Sequence, residues 1–315
     1  MRPPIANQRP PLLLTLYQLA RPRLLPFVLL LPVVGFGWAH WDRALAMRGG
    51  SDLLWVLVAW TSLQAGTLWL NAALDRDKGE VLFGRAAAVP PGIVPFAYLA
   101  LLAGVALALP AAPAAGWAAA ACAVLAVLYS HPRTMWKAHP LLGPFVNGVG
   151  YGLLSPLAGW AVVRVAPDAR TFIVWLLASL AVLGCYFAAQ TFQRDEDLAR
   201  GYRTLVATHG PRATLLAGRV CIGVALLGGS ALAAVGWLPR LCLVALPLGW
   251  WIDRWLRSWS ALPDGGSERW ARGLAVRMLL AGLVCVGLAY VDYAMELLTG
   301  APAAGLGTAA GHPGD

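Results

Sequence analysis

The chain has 315 residues, of which 59% are hydrophobic and only 12% are charged, whereas about 25% are charged in a typical soluble domain. Its mean hydropathy of +0.65 therefore indicates that lipid, rather than water, surrounds most of the chain. The formal net charge of +9 does not indicate nucleic-acid binding, because the basic residues are scattered among short loops and form no stripe.

Long apolar stretches follow one another along the whole chain. A stretch of about 20 apolar residues can cross the roughly 30 Å hydrocarbon core of a bilayer. The first stretch is longer than the apolar region of a cleaved signal peptide, so it predicts a membrane helix. The short Ala-Ala-Pro connection at 111–113 leaves open whether the third and fourth stretches cross separately or form a hairpin within the membrane. The nine predicted segments are 16–40, 52–73, 94–110, 114–131, 141–163, 171–193, 212–237, 239–257 and 273–298.

The predicted fold class is therefore all-α, a polytopic membrane bundle of about nine transmembrane helices. Residues 1–300 form one predicted transmembrane domain. Residues 301–315 form a tail rich in Ala, Gly and Pro, which we expect to be disordered.

The basic residues predict how the bundle is oriented. With a cytoplasmic N-terminus, 17 of the 24 Lys and Arg residues fall on the cytoplasmic side and five on the other side. Cytoplasmic loops are typically enriched in Lys and Arg. We therefore expect an integral protein of a bacterial-type inner (plasma) membrane, whose N-terminus and functional loops are cytoplasmic and whose C-terminus lies on the opposite side.

Acidic side chains cluster at two places, although charge near hydrocarbon is costly unless it binds something. Both clusters follow predicted helices, the second and the sixth, at ends that face the same compartment. Carboxylate and amide oxygens are the ligands that Mg²⁺ prefers, and Mg²⁺ leaves its other positions to water and substrate phosphate oxygens. Solvated helix ends with local ion pairs are the alternative interpretation. The first cluster contains Asn71, Asp75, Asp77 and Glu80, and the second contains Gln190, Gln193, Asp195, Glu196 and Asp197.

The loop between the fourth and fifth segments brings cations to this same side. Arg133 and Lys137 are suited to holding phosphate oxygens, Arg through its planar fork and Lys as a point charge. The alternative is that both residues only follow the rule that cytoplasmic loops are basic.

At this point the sequence resembles the UbiA superfamily of intramembrane prenyltransferases over about residues 15–298. The family's first motif, Asn-Asp-x-x-Asp-x-x-x-Asp, is matched at Asn71 and Asp75, whereas Ala72 and Gly79 replace its other two acidic residues. Asp77 and Glu80 lie near enough in sequence to substitute for them.

The family's second motif, Asp-x-x-x-Asp followed by Gly and Arg-Thr-Leu, is similar to the segment from Gln193 to Leu205. Here Gln193 replaces the first Asp, Asp197 is the second, and Arg203 begins the Arg-Thr-Leu sequence. Between the two motifs, Tyr129 and Ser130 resemble the family's Tyr-Ser loop, and 20–22 resembles the opening of its first helix.

The resemblance implies that Mg²⁺ binds the diphosphate of an isoprenoid and that an allylic carbocation forms in a cavity. An aromatic or lipid-soluble acceptor then attacks the carbocation. The implied catalytic residues are Asn71, Asp75, Asp197, Arg133 and Lys137; the metal ligands are Asn71, Asp75, Asp77, Asp195 and Asp197; the substrate-binding residues are Tyr129, Ser130, Gln193, Arg203 and Asn147; and the aromatic cavity lining is Phe145, Tyr151, Tyr186 and Phe192.

Three other functions stay open. A terpene cyclase of the same superfamily would quench the cation with its own alkene. A non-catalytic membrane binding protein is compatible with the motif losses, and a transporter would place polar groups along a path through the membrane. A transporter is disfavoured because the acidic groups stay at one membrane face and no convincing inverted repeat is present.

Overall fold

The computed structural model describes residues 11–43, 45–75 and 79–299, apart from the side chain of Arg85. Within these ranges the protein is all-α, with nine long helical segments in chain order, which confirms the predicted fold class. Six of these segments are long and apolar enough to cross a membrane. The predicted tail at 301–315 and the predicted metal ligand Asp77 lie outside the described residues.

The helices begin and end close to the predicted boundaries. Three of the nine segments consist of more than one helix in direct succession: α1 with α2, α6 with α7, and α8 with α9. The helices are α1 Leu12–Leu19, α2 Leu25–Asp42, α3 Gly50–Asp75, α4 Ile93–Ala108, α5 Pro113–Ser130, α6 Leu142–Asn147, α7 Ser155–Ala161, α8 Ala169–Gln190, α9 Arg194–Ala199, α10 Leu205–Ala234, α11 Ala245–Ser260 and α12 Glu268–Thr299.

Small residues allow the helices to approach closely. A methyl group at Gly35 of α2 would overlap the backbone carbonyl of Pro156 in α7, and one at Gly159 of α7 would overlap the carbonyl of Pro32 in α2. A methyl group at Gly152 would overlap the Cα atom and the side chain of Ser179 in α8. Without a hydrophobic driving force between helices in lipid, such close backbone contact is what holds a membrane bundle together.

Two irregularities in the helices have local causes. A π-helical stretch, Gly148–Leu154, joins α6 to α7, and π-helical turns are frequently found at functional sites. In α10, Gly210 has a φ of 79° and is followed by Pro211. Proline cannot donate the helical hydrogen bond, so the long straight part of α10 begins there, close to the predicted start at 212.

A short hairpin between α3 and α4 was not predicted. Its strands are β1 Glu80–Val81 and β2 Gly84–Arg85, paired antiparallel. The backbone N–H of Phe83 donates a 2.7 Å hydrogen bond to a carboxylate oxygen of Glu268 at the start of α12. The hairpin is therefore fixed against the end of the bundle at which α3 terminates.

Candidate active site

The first acidic cluster lies in the last turn of α3. Asn71 and Asp75 are four residues apart, so both side chains lie on one face of the helix. The ammonium group of Lys137 contacts the carboxylate of Asp75 and lies 3.3 Å from Oδ1 of Asn71. Both charged side chains are only 6% exposed. This ion pair is therefore almost completely removed from solvent.

The end of α5 completes this part of the site. The hydroxyl of Ser130, which is fully buried, donates a 3.1 Å hydrogen bond to Oδ1 of Asn71. Tyr129, one residue earlier, interacts with the side chains of Tyr186 and Asn147. The predicted Tyr-Ser loop therefore lies against the first motif.

The second acidic cluster lies beside the first. Asp197 in α9 is buried and accepts a 2.7 Å hydrogen bond from the hydroxyl of Thr204. The backbone N–H of Arg203 donates a 2.9 Å hydrogen bond to the carbonyl of Ala138, next to Lys137. The loops that follow α5 and α9 are thus tied together, and this brings Asp197 within electrostatic range of Lys137.

Lys137 is the charged group that both clusters share. Burial lowers the pKa of its ammonium group to about 7, with a smaller contribution from the positive charge of Arg200, while Asp197 opposes the shift. The contact with Asp75 likewise favours the charged form. Near neutral pH, Lys137 can therefore change its charge in response to an anion that enters the site.

A cavity of about 280 Å³ opens at this end of the bundle. Asn71 from the first motif and Gln193 from the second both line it, and Asp75 and Asp197 each follow four residues later in the chain. Leu82 of the hairpin also contributes to the wall. The remaining polar and aromatic lining includes Tyr129, Asn147, Tyr151, Tyr186, Gln190 and Phe192.

Two lining residues were not predicted to be functional. Arg21 lies in the left-handed region with a φ of 47°, a conformation that costs a non-glycine residue about 1–3 kcal/mol. Gln190 is buried and donates a 3.0 Å hydrogen bond to Tyr186, while its buried Oε1 has no hydrogen-bond partner among the residues that the structure describes. The sequence placed Gln190 in the second acidic cluster, and 20–22 resembled the opening of the family's first helix, but neither residue was assigned a role at the site.

Several predicted site residues lie elsewhere. Asp195 is 96% exposed and pairs with Arg194, because two residues along a helix place it on the opposite face from Asp197. Arg133 and Arg203 are exposed, and no contact among the described residues joins either side chain to Asp75 or Asp197. Phe145 is 51% exposed and does not line the cavity. These side chains are not part of the buried cluster.

The donor set of the buried cluster suits a hard cation. Asn71, Asp75 and Asp197 offer amide and carboxylate oxygens, and the ammonium group of Lys137 lies against two of these residues. Among the described residues, no group of three His, Cys, Asp or Glu is placed to hold a metal ion. Two carboxylates and an amide suit Mg²⁺, because this ion takes its other ligands from water and phosphate.

Comparison with known proteins found a matching family model and several solved structures with a similar fold. The family model described as the UbiA prenyltransferase family matches residues 24–270. A structure of a UbiA homologue from Archaeoglobus fulgidus bound to DMAPP and Mg²⁺ has a TM-score of 0.69 at 16% identity, and the match covers 88% of this chain and 98% of that chain. The same homologue bound to GPP and Mg²⁺ has a TM-score of 0.70 at 14% identity, with the same coverage.

A further solved structure, described for digeranylgeranylglyceryl phosphate synthase in membranes, has a TM-score of 0.62 at 15% identity and also covers 88% of this chain and 98% of that chain. No curated protein matches the sequence. At these sequence identities the solved structures show only a shared fold. The family model matches residues 24–270, which is more than half of the chain.

Proposed function

Because the chain belongs to the UbiA prenyltransferase family, we propose that it transfers an isoprenyl group from an isoprenyl diphosphate to an aromatic or lipid-soluble acceptor. The observation that carries this proposal is that one cavity is lined by an amide side chain from each motif, each four residues before a buried carboxylate. Asn71 and Gln193 line its wall from opposite motifs, and Lys137 interacts with the carboxylates of both. A diphosphate at the mouth would meet all of these groups at once.

Mg²⁺ fits the proposed site, since Asn71, Asp75 and Asp197 supply the oxygens that it prefers. These three residues would hold the ion, which would supply positive charge that stabilises the negative charge on the leaving diphosphate. The relatives from Archaeoglobus fulgidus that share the fold were solved with Mg²⁺ and isoprenoid diphosphates. Asp195 does not belong to this ligand set, and the role of Asp77 stays a prediction.

The chain's own residues support ionisation of the donor. Lys137, held against Asp75, offers a cation that does not have to reorganise when charge develops on the leaving group. Ser130 fixes the amide of Asn71 by donating to its oxygen, so this amide has one orientation towards the cavity. Thr204 fixes Asp197 by a hydrogen bond in the same way.

The cavity wall suits a carbocation. Tyr129, Tyr151, Tyr186 and Phe192 line it, and aromatic faces stabilise positive charge without reacting with it. Excluding water from such a wall prevents hydrolysis of the cation. The wall is therefore able to shelter the reactive group until an acceptor attacks.

The acceptor is expected to carry a hydrogen-bond donor such as a hydroxyl group. The Oε1 atom of Gln190 is buried at the cavity without a partner, and a buried acceptor left unpaired costs about 1–3 kcal/mol. A phenolic or alcoholic hydroxyl in the cavity would satisfy it. This assigns Gln190 to the acceptor rather than to the diphosphate.

The active site is proposed to face the cytoplasm. The distribution of Lys and Arg supports this orientation, because the positive charges concentrate on the side that carries both motifs. A bacterial-type inner membrane with a cytoplasmic N-terminus follows from the same argument.

The experiment uses purified protein in detergent or lipid with an isoprenyl diphosphate, with Mg²⁺ present or chelated, and with hydroxylated aromatic acceptors present or absent. We expect diphosphate release that needs Mg²⁺, that increases with acceptor, and that is lost in Asp75→Ala and Asp197→Ala. Asp195→Ala is the matched control, since it removes an exposed carboxylate from the same helix as Asp197.

Full turnover in both Asp75→Ala and Asp197→Ala would refute the proposed site. If release is equally fast without acceptor and yields a cyclic hydrocarbon, the chain is a cyclase of the same superfamily. Absence of release from every isoprenyl diphosphate tested would favour the non-catalytic alternative.

A further inference from the structure

The lateral surface of the bundle carries an unusual face on α11. Trp250 is 65% exposed, and Arg254 and Arg257 are exposed on the same side of the helix. A helix whose outer face contacts only hydrocarbon would carry apolar residues there. Instead, the outer face of α11 combines charge with a large aromatic side chain. The opposite, buried face consists of Ile252, Leu256 and Trp259.

The two neighbouring helices add an arginine on each flank. From α10, Arg219 lies 2.9 Å from the carboxylate of Asp253, which Arg257 also contacts at 2.5 Å. From α12, Arg277 places its guanidinium carbon 3.7 Å from the ring centroid of Trp255. Two guanidinium groups, those of Arg219 and Arg257, thus contact one carboxylate, whereas those of Arg254 and Arg277 lie against tryptophan rings. We call Trp250, Arg254, Arg257, Arg219 and Arg277 the α11 patch.

The surroundings of the α11 patch are apolar. Exposed aliphatic side chains flank Arg219 on α10 and Arg277 on α12, so the charges do not belong to a solvated polar surface. A positively charged patch bordered by lipid-facing side chains needs an anion that is itself held at the membrane. The flanking side chains are Leu216, Val220, Val276 and Leu280.

The α11 patch lies near the end of the bundle that carries the active site. The loop after α11 packs on this end, since Gly265 lies against the backbone oxygen of Thr191. Arg257 and Arg254 precede the last residue of α11, Ser260, by about 5 and 9 Å at 1.5 Å per residue. A headgroup layer is roughly 5–8 Å deep on each side of the hydrocarbon. With Ser260 placed at the outer edge of this layer, Arg257 falls within the layer and Arg254 falls at its inner boundary.

We infer that the α11 patch is a binding site for the phosphate group of an anionic phospholipid. Arg254 and Arg257 bind the phosphate oxygens, because the guanidinium fork matches phosphate geometry. The guanidinium carbon of Arg254 lies 5.7 Å from the ring centroid of Trp250, which holds the guanidinium group in place. Asp253 holds Arg219 and Arg257 in place by hydrogen bonds. Its single negative charge does not neutralise the four arginines of the α11 patch. The lipid lies outside the cavity and takes no part in the chemistry there.

The test titrates the full-length protein in detergent with phosphatidylglycerol, and separately with phosphatidylcholine of the same acyl chains, and counts bound lipids by native mass spectrometry. We expect retention of phosphatidylglycerol over phosphatidylcholine. Each of Arg254→Gln and Arg257→Gln should weaken phosphatidylglycerol binding about fivefold, the effect of one cation near an anionic lipid surface. Arg240→Gln is the matched control, because Arg240 is exposed just before the other end of α11.

If Arg257→Gln unfolds, Arg254→Gln is the variant to use. Among the described contacts, the side chain of Arg254 stacks only on Trp250. Equal affinity of wild type and Arg254→Gln for phosphatidylglycerol would overturn the inference, as would equal weakening in Arg240→Gln. Displacement of the lipid by equimolar inorganic phosphate would show a site for free anions. A change of oligomeric state in the double variant with unchanged lipid binding would show a contact between copies, and either result contradicts the lipid assignment.

Discussion

Replacement of Lys137 by methionine tests the buried ion pair on which the proposed site depends. The substitution keeps the length of the side chain and removes its charge. Asp75, whose side chain is 6% exposed, then remains buried beside Asn71 without its cation. We expect the variant to be less stable than the wild type in the absence of Mg²⁺.

The expected loss of stability in Lys137→Met follows from two limits. Removing one partner of a buried ion pair typically costs about 3–5 kcal/mol. The cost is capped, because Asp75 can take up a proton instead, and protonating a carboxyl group of ordinary pKa about 3.9 at pH 7 requires about 4 kcal/mol. At about 2.1 cal/mol/K of unfolding entropy per residue over 315 residues, this corresponds to a fall in Tm of roughly 6 °C.

The assay is thermal unfolding in detergent between pH 4 and pH 8, with and without Mg²⁺. The loss should shrink towards pH 4, because protonating the buried carboxyl group of the variant costs less as the pH approaches the ordinary Asp pKa of about 3.9. Mg²⁺ should stabilise the variant more than the wild type, because the ion replaces the missing cation. Arg133→Met is the control, since Arg133 is an exposed cation in the same loop. A Tm equal to that of the wild type at pH 7 without Mg²⁺ would contradict the ion pair, and a loss that does not vary with pH would contradict its electrostatic origin.

Three further predictions concern the positioning of Asp197, the charge of Lys137 and the packing of the bundle. Thr204→Val removes the 2.7 Å hydrogen bond to Asp197 and should lower kcat/KM for diphosphate release about tenfold, whereas Thr204→Ser should retain activity. Donor affinity, measured by calorimetry, should fall as pH rises through about 7, because Lys137 loses its charge there; Lys137→Arg stays charged and should abolish this fall. Gly159→Ala should lower Tm because its methyl group overlaps a backbone carbonyl, whereas Gly223→Ala, with nothing within 4 Å, should not.

The positions of the candidate ligands were predictable only in part. Spacing of four residues placed Asn71 and Asp75 on one helical face, and the structure has them there. The same reasoning would have separated Asp195 from Asp197, which lie about 200° apart around a helix, yet the sequence prediction took both as ligands. Lys137 was predicted as a phosphate-binding cation, but its pairing with Asp75 depends on how the loop after α5 folds back on α3.

Hydropathy and length alone determined that the chain is a membrane bundle with nine helical segments, because only lipid can surround stretches so long and apolar. The order and spacing of the motifs along the chain also indicated the family and the end of the bundle that carries the acidic groups. Only the tertiary structure decided that the hairpin closes against α12, that Arg21 is held in a left-handed conformation, and that Oε1 of Gln190 is buried without a partner. These features arise from contacts between segments far apart in the chain, whereas sequence periodicity specifies only which face of a helix a residue occupies.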